Sequence, residues 1–369
     1  MLLPVFSFLI SVFFVSIALH HTTRLWSLPF ILLSSYISLI TANQLEDIAD
    51  LWAIGLAVYF VHVTSLLYIE QWVVPRPSPD KRYNFVAAYK LWSNPQFLKT
   101  ARQVPGAHTV DRDHDPPQSR IRFTIVRVAR ITLHLSLMYL WTTYIFPGPF
   151  LPLTADDFSP TKEIYFRRLL SPTPDSPITY RETAIRSLSA IDWIWTAYLT
   201  LDCSHDALGI FFTIILRLDN TTDWQTPLFG SPGKAYTLRG FWGRFWHRLV
   251  YRAYTNYGRC VGQRGLRLRP GGVVERWWCV FVVFAISGCS HAVVMRWVWG
   301  SVGWREVWFF LVNFVAGAVE SVVVKMLRRW TKERVRGCRI LGFLWVFGFF
   351  FWSVPKREYP NIHALLSTI

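Results

Sequence analysis

The chain has 369 residues, 52% of them hydrophobic and 17% aromatic, which is too apolar for an average soluble domain. Charged residues make up only 17% and are clustered, leaving long stretches almost free of charge. The net charge of +16 does not indicate nucleic acid, because no window is long and polar enough to form a soluble module carrying a basic patch.

Apolar stretches of spanning length, roughly 17–25 residues, fall at 2–19, 27–42, 51–69, 131–150, 188–218, 277–299, 304–325 and 339–354. They predict an all-α fold, a polytopic transmembrane helical bundle of about eight spans, as a single domain over 1–369. The first stretch has no basic leader and no small-residue cleavage site, so it reads as a span rather than a removed signal peptide. The second is short. The stretch 188–218 is long for one crossing and carries Asp202, His205 and Asp206 in its middle, which predicts a broken or tilted helix. Seven prolines between Pro147 and Pro177 exclude regular structure there and predict an ordered luminal or interfacial loop. Nineteen Trp and 28 Phe suit lipid-facing surfaces and interfacial belts.

The basic residues sit between the apolar stretches. Glu70 to Arg130 holds 11 Lys/Arg against 5 Asp/Glu, Arg217 to Arg276 holds 11 against 3, and Lys325 to Arg339 holds 7 against 1. The gap 43–50 carries Glu46, Asp47 and Asp50 and no base. Counting spans puts the three basic gaps on one face, the cytosolic one, and the N-terminus on the luminal side. No internal repeat is visible, which weakens an inverted-repeat transporter. The five cysteines contain no C-x-x-C pair, so reduced thiols are expected and no zinc site.

Two places break the logic of their surroundings. In Phe281-Val-Val-Phe-Ala-Ile-Ser-Gly-Cys-Ser-His291 an imidazole sits inside an apolar span, where ionisable groups are costly and face a cavity or a partner. Ser287 shares its helix face four residues earlier, and Gly288 leaves room for a substrate or a neighbouring helix. A structural histidine bonded to a serine explains this pattern as well as a functional one does. In Leu238-Arg-Gly-Phe-Trp-Gly-Arg-Phe-Trp-His247-Arg248, the arginines Arg239, Arg244, Arg248 and Arg252 alternate with Phe241, Trp242, Phe245 and Trp246. Helical spacing makes this an amphipathic segment in the membrane surface, aromatics inward and arginines outward. It is either an interfacial anchor or a holder of an anionic, phosphate-bearing cosubstrate. His62 and His134 read as structural, and Asp202, His205 and Asp206 as a kink or polar pocket rather than a metal site. G-x-S-x-G, H-E-x-x-H, Walker and G-x-G-x-x-G motifs are absent.

At these segments the sequence resembles a known family. Pro227-Leu-Phe-Gly-Ser, then Tyr236-Thr-Leu-Arg-Gly-Phe-Trp-Gly-Arg-Phe-Trp-His247, then Ser287-Gly-Cys-Ser-His291 is similar to the wax synthase-like branch of the membrane-bound O-acyltransferases. It most resembles the fungal members that acetylate terpenoid and meroterpenoid alcohols in secondary metabolism. The two histidines lie 44 residues apart and in the family's order, and the motif-bearing part runs over about 225–300. The family's R-G-I-G-type run is replaced by Gln96-Phe97-Leu98-Lys99, and Ala292 stands where plant wax synthases often carry Glu.

The resemblance implies His291 as the general base and His247 as the second polar residue of the site. It implies Trp242, Arg244, Trp246, Arg248 and Ser287 as substrate- or CoA-binding residues. It also implies acetyl-CoA as cosubstrate with no further cofactor or metal, a lipophilic alcohol as acceptor, and a multi-pass protein of the endoplasmic reticulum membrane. Membrane lipid is its expected surrounding, with no nucleic acid partner. Transfer of a long acyl chain to a fatty alcohol or sterol is the alternative in the same class. A membrane transporter with His291 in a proton path, or a silent scaffold, is the alternative outside it.

Overall fold

A computed structural model describes residues 2–75, 82–105, 118–146, 152–172, 177–330 and 338–368, without the side chains of 327–330 and 338. Parts of the basic gaps from Lys325 to Arg339 and from Glu70 to Arg130 lie outside the described residues. Among the described residues every regular element is helical. The chain divides into two compact units, the first of 1–107 and 248–315, the second of 108–247 and 316–369.

The first unit opens with α1 (Leu2–Ala18), α2 (Leu28–Ile40) and α3 (Ala49–Thr64), close to the predicted stretches. Helix α1 buries Ser7 and Ser11 and exposes Leu2, Phe6, Leu9 and Phe13. That is the reverse of a helix in water and suits a lipid-facing surface, where small and polar residues make the helix contacts. Ser11 bonds Ser35 of α2 at 3.1 Å, and Ser38 donates to the Pro4 carbonyl at 2.8 Å. The apolar core comprises Val15, Leu19, Ile31, Leu56, Val63 and Leu67, with Ala88 of α4 (Phe85–Trp92) against it.

The second unit is organised by α5 (Arg120–Leu140) and α8 (Tyr180–Ile210), which pack together. The predicted break near Asp202 is absent: α8 runs unbroken for 31 residues and ends in a π turn, Phe211–Ile215. The proline-rich gap also contains regular structure, which the prolines were expected to exclude. It holds a short 3-10 turn (Ala155–Phe158), α6 (Pro160–Glu163) and α7 (Tyr165–Leu170). Pro160 opens α6 at a first-turn position, where the missing N–H costs nothing.

Short α9 (Leu238–Gly240) and α10 (Tyr251–Cys260) precede α11 (Val273–Val298), α12 (Trp304–Trp330) and α13 (Cys338–Leu366). Inside α13, Pro355 cannot donate to the carbonyl of Phe351. Arg186 of α8, fully buried, fills that gap. Its Nε donates to the Phe351 carbonyl at 2.8 Å and its Nη1 to the Lys162 carbonyl at 2.8 Å.

Among the described residues four helical stretches are long and apolar enough to cross a membrane: Ala42–Ile69, Arg120–Ile145, Val273–Val298 and Trp304–Met326. Helices α1 and α2 are apolar but shorter. The architecture is a helical membrane bundle, and the chain is an integral membrane protein.

Candidate active site

In the first unit, α11 carries the second motif. Its residues 287–292 point to different neighbours. Ser287 donates to the Val283 carbonyl at 2.7 Å, one turn back along its own helix. Gly288 meets a helix: a Cβ there would lie 2.9 Å from the Val307 Cα of α12. Of the two uses expected for Gly288, close helix packing is therefore the one realised. Ser290 is buried and bonds the Tyr254 hydroxyl of α10 at 3.1 Å. The His291 ring stacks on Phe310 of α12, with centroids 4.9 Å apart and planes at 23°. Ala292 packs on Gly303, where a Cβ would come within 2.7 Å of the Ala292 methyl. An open groove of about 450 Å³ lies beside this turn, lined by Cys289, Ala292, Arg296, Trp297, Gly303 and Val307 among others. His291 does not line it.

Helix α10 corrects the expectation for Arg252. It does not face outward; its guanidinium is buried in the first unit. Nε donates to the Pro95 carbonyl at 3.0 Å, Nη2 to His62 Nδ1 at 2.8 Å, and Nη1 pairs with Glu70. The charge also lies over the Phe97 ring, 3.8 Å from its centroid. With Nδ1 accepting from Arg252 and Nε2 facing the Leu91 carbonyl at 3.4 Å, the network assigns His62 the Nε2–H tautomer, a structural role as expected. Arg248 lies over Tyr251 at 4.0 Å, and burial pushes its pKa below the ordinary guanidinium value.

The first motif lies in the second unit, and it is not the continuous amphipathic helix the spacing suggests. Thr237 caps α9, accepting from Gly240 N–H at 2.8 Å, and α9 runs straight into a π turn, Phe241–Phe245. Trp246 is extended, which ends the helix before His247. Glu320 of α12 accepts from the N–H groups of Leu238 and Arg239 at 2.7 and 3.3 Å. Phe241, Phe245 and Trp246 are buried against protein rather than lipid. Trp193 of α8 stacks on Trp246, with centroids 5.7 Å apart and planes at 13°, and lies 6.2 Å from Trp242. The Pro227-Leu-Phe-Gly-Ser loop docks onto this knot: Gly230 N–H donates to the Phe245 carbonyl at 2.8 Å, and Phe229 sits edge-on to His247 at 5.9 Å. Arg239 and Arg244 remain exposed.

The knot packs around the imidazole, which is half-buried. His247 Nδ1 is buried and has no hydrogen-bond partner among the described residues. Desolvation pushes its pKa down to about 4, so the ring is neutral near pH 7. His247 and the knot residues Trp242 and Trp246 thus come together in the second unit. Ser287, Arg248 and His291 belong to the first. Tyr254, Phe310 and Trp193 also shape these surroundings. Their only sequence signal is an aromatic ring, which in this chain is too common to single anything out.

Asp202 and Asp206 are held by arginines. Arg127 pairs with Asp206 and donates to the Trp224 carbonyl, while Arg130 pairs with Asp202. His134 Nδ1 is 3.6 Å from Asp202. Charges at membrane depth are expected to find such partners. No group of three or more His, Cys, Asp or Glu placed to hold a metal occurs among the described residues.

Comparison with known proteins covers this same region. Residues 224–312, which contain both motifs, match the membrane bound O-acyl transferase family. The likeness read from the two motifs is thereby shown over this segment. Among curated relatives, the chain is 29% identical over 185 residues to acetyltransferase aurG of Calcarisporium arbuscula, covering 49% of this chain and 44% of that protein. It is 29% identical over 182 residues to acetyltransferase TRI7 of Fusarium sporotrichioides, covering 46% and 41%. It is 35% identical over 150 residues to acetyltransferase nanB of Aspergillus nanangensis, covering 37% and 34%. The chain thus spans less than half the length of these curated relatives.

Proposed function

We propose that the chain transfers an acetyl group from acetyl-CoA to a hydroxyl of a lipophilic terpenoid or meroterpenoid, in the endoplasmic reticulum membrane, with His291 as general base. The observation that carries this reading is an imidazole on an apolar span, stacked on Phe310, within a segment that matches an O-acyltransferase family. The naming of aurG, TRI7 and nanB as acetyltransferases supports acetyl over longer acyl groups.

In the proposed reaction His291 accepts the alcohol proton while the oxygen attacks the thioester carbonyl. The ester C–O bond forms, the C–S bond breaks, and the proton passes from His291 to the departing CoA sulfur. No covalent acyl-enzyme is required. His247 takes the second polar role, donating a hydrogen bond to the carbonyl oxygen as charge develops there. A neutral ring with an uncommitted Nδ1 suits a donor that is not tied up elsewhere. The exposed guanidinium of Arg244 and that of Arg248 suit phosphate groups of CoA. Trp242, Trp246 and Ser287 complete the proposed substrate-binding set. A water-poor surrounding suppresses thioester hydrolysis.

The test is His291→Ala, assayed in microsomes with radiolabelled acetyl-CoA and a panel of terpenoid alcohols. Removal of a general base typically costs 10²–10⁴-fold, so product formation should fall by about that factor at near-normal abundance. Turnover per molecule of membrane-extracted protein separates this from a structural histidine. Normal turnover in the variant would sink the mechanism.

A further inference from the structure

Helix α10 has two working faces. Arg252 and Asn256, four residues apart, share the face toward α3 and its C-terminal π turn. Arg252 is fixed by Pro95, Glu70 and His62, and Asn256 Nδ2 donates to Ser65 Oγ at 3.1 Å. Tyr257 adds a 2.7 Å bond to Thr64 Oγ1. Two residues on from Arg252, on the far side of the helix, Tyr254 reaches α11. Its hydroxyl bonds Ser290 Oγ at 3.1 Å, and Ser290 is the residue before His291. Tyr254 is 1% exposed and Ser290 7%, so water cannot replace that bond if it is lost. Burial raises the Tyr254 pKa to about 12, so the phenol keeps its proton at any physiological pH. Close packing holds the two helices together, since a Cβ on Gly258 would lie 3.1 Å from the Cys279 Cα.

We infer that Tyr254 is a positioning residue for His291: α10, pinned to α3, holds Ser290 through the phenol and so fixes the rotation at which α11 presents the imidazole. This rests on the reading of His291 as the base. Tyr254 itself touches no reacting atom. A helix held at Ser290 by a directional bond presents the next side chain at one azimuth, and small misplacements of a catalytic group are costly in rate.

Tyr254→Phe, Ser290→Ala and Ser290→Thr, purified with the unaltered protein, test this with acetyl-CoA and whichever terpenoid alcohol the unaltered protein acetylates. Tyr254→Phe and Ser290→Ala should each lower kcat about tenfold, with the KM for both substrates within about twofold. The double variant should be no worse than either single one, because the same bond is removed once. Ser290→Thr, which keeps the hydroxyl, should recover most of the loss. Unchanged kcat in Tyr254→Phe, or a fall that only follows the folded fraction, overturns the inference. If Tyr254→Phe does not fold, the Ser290 pair decides the same question. His291→Ala run alongside keeps the two readings apart. An inactive His291→Ala with a fully active Tyr254→Phe removes only the positioning role, whereas an active His291→Ala removes both.

Discussion

Around His291 the contacts that set the geometry are mostly backbone. Gly288 lets the Val307 Cα approach, and Gly303 lets the Ala292 main chain approach, leaving Phe310 as the ring beneath the imidazole. Around His247 the walls are side chains: Phe229, Trp246 and, behind them, Trp193 and Phe241. The first histidine is on a regular helix, and the second follows the point where a helix stops. The difference teaches which perturbation each will feel. A surrounding of close backbones answers to added atoms, and a surrounding of rings answers to added charge.

The largest expected effect is therefore on pH dependence at His247. Its folded pKa is about 4, against an ordinary value of 6.5, because burial disfavours the imidazolium. The unfolded chain then binds more protons between those values, so stability rises with pH across that window. The contribution is complete above pH 6.5 and is lost as pH falls toward 4, on the order of 3 kcal/mol in all. Thermal unfolding of detergent-extracted protein between pH 7.5 and 4.5 should show a steeper loss for the unaltered chain than for His247→Gln. Parallel curves for the two would mean that the knot does not exclude water from the ring.

Glycine substitutions sharpen the same contrast on the other side. A methyl at Gly288 meets the Val307 Cα at 2.9 Å, and neither helix can yield cheaply because the obstacle is main chain. Gly288→Ala should cost about 1–3 kcal/mol. Gly243, in the aromatic knot, has nothing within 4 Å of the place its methyl would take, so Gly243→Ala should leave the unfolding midpoint nearly unchanged. A Gly288→Ala protein as stable as the unaltered one would show that α11 and α12 are not held at that distance.

Much of the bundle is legible in the sequence because an apolar run long enough to cross a membrane has few other fates. Helices α1, α2, α3, α11 and α12 fall close to the stretches predicted for them. Helix α5 begins at Arg120 rather than near 131, because Arg127 and Arg130 read as loop charge until Asp202 and Asp206 are seen opposite them. The same reason hides the burial of Arg252, whose partners Glu70, His62 and Pro95 lie more than 150 residues away in sequence. Spacing assigns it to an outer face together with Arg244 and Arg248. Trp246 reads as facing lipid, since one sequence does not distinguish a ring turned to lipid from a ring stacked on Trp193. Both motif histidines are legible as oddities, one in an apolar span and one among alternating rings and arginines. Their packing is not, because it depends on which helix supplies the neighbour.

The smallest expected effect concerns how helices leave the bundle, and it applies to both units. Among the described residues three helices end in π turns followed two residues later by a non-glycine residue in the left-handed region: Gln71 at φ 55°, Arg217 at φ 53° and Arg267 at φ 54°. In each case the N–H groups on either side of that residue reach back to the last turn, as in Leu266 to the Val261 carbonyl at 3.0 Å and Leu268 to that of Gly262 at 2.9 Å. The bonds satisfy carbonyls that the helix end leaves open, and they require the left-handed residue between them. An L side chain is strained there by its Cβ, whereas glycine is not. Arg267 is exposed, so its side chain has little packing to lose. Arg267→Gly should therefore stabilise the first unit by about 0.5–1 kcal/mol, the relief of strain exceeding the added freedom of the unfolded chain. A differential scan against the unaltered protein reads this directly as a small rise in Tm. A fall instead would mean that the arginine holds this exit through contacts that outweigh the strain of its backbone.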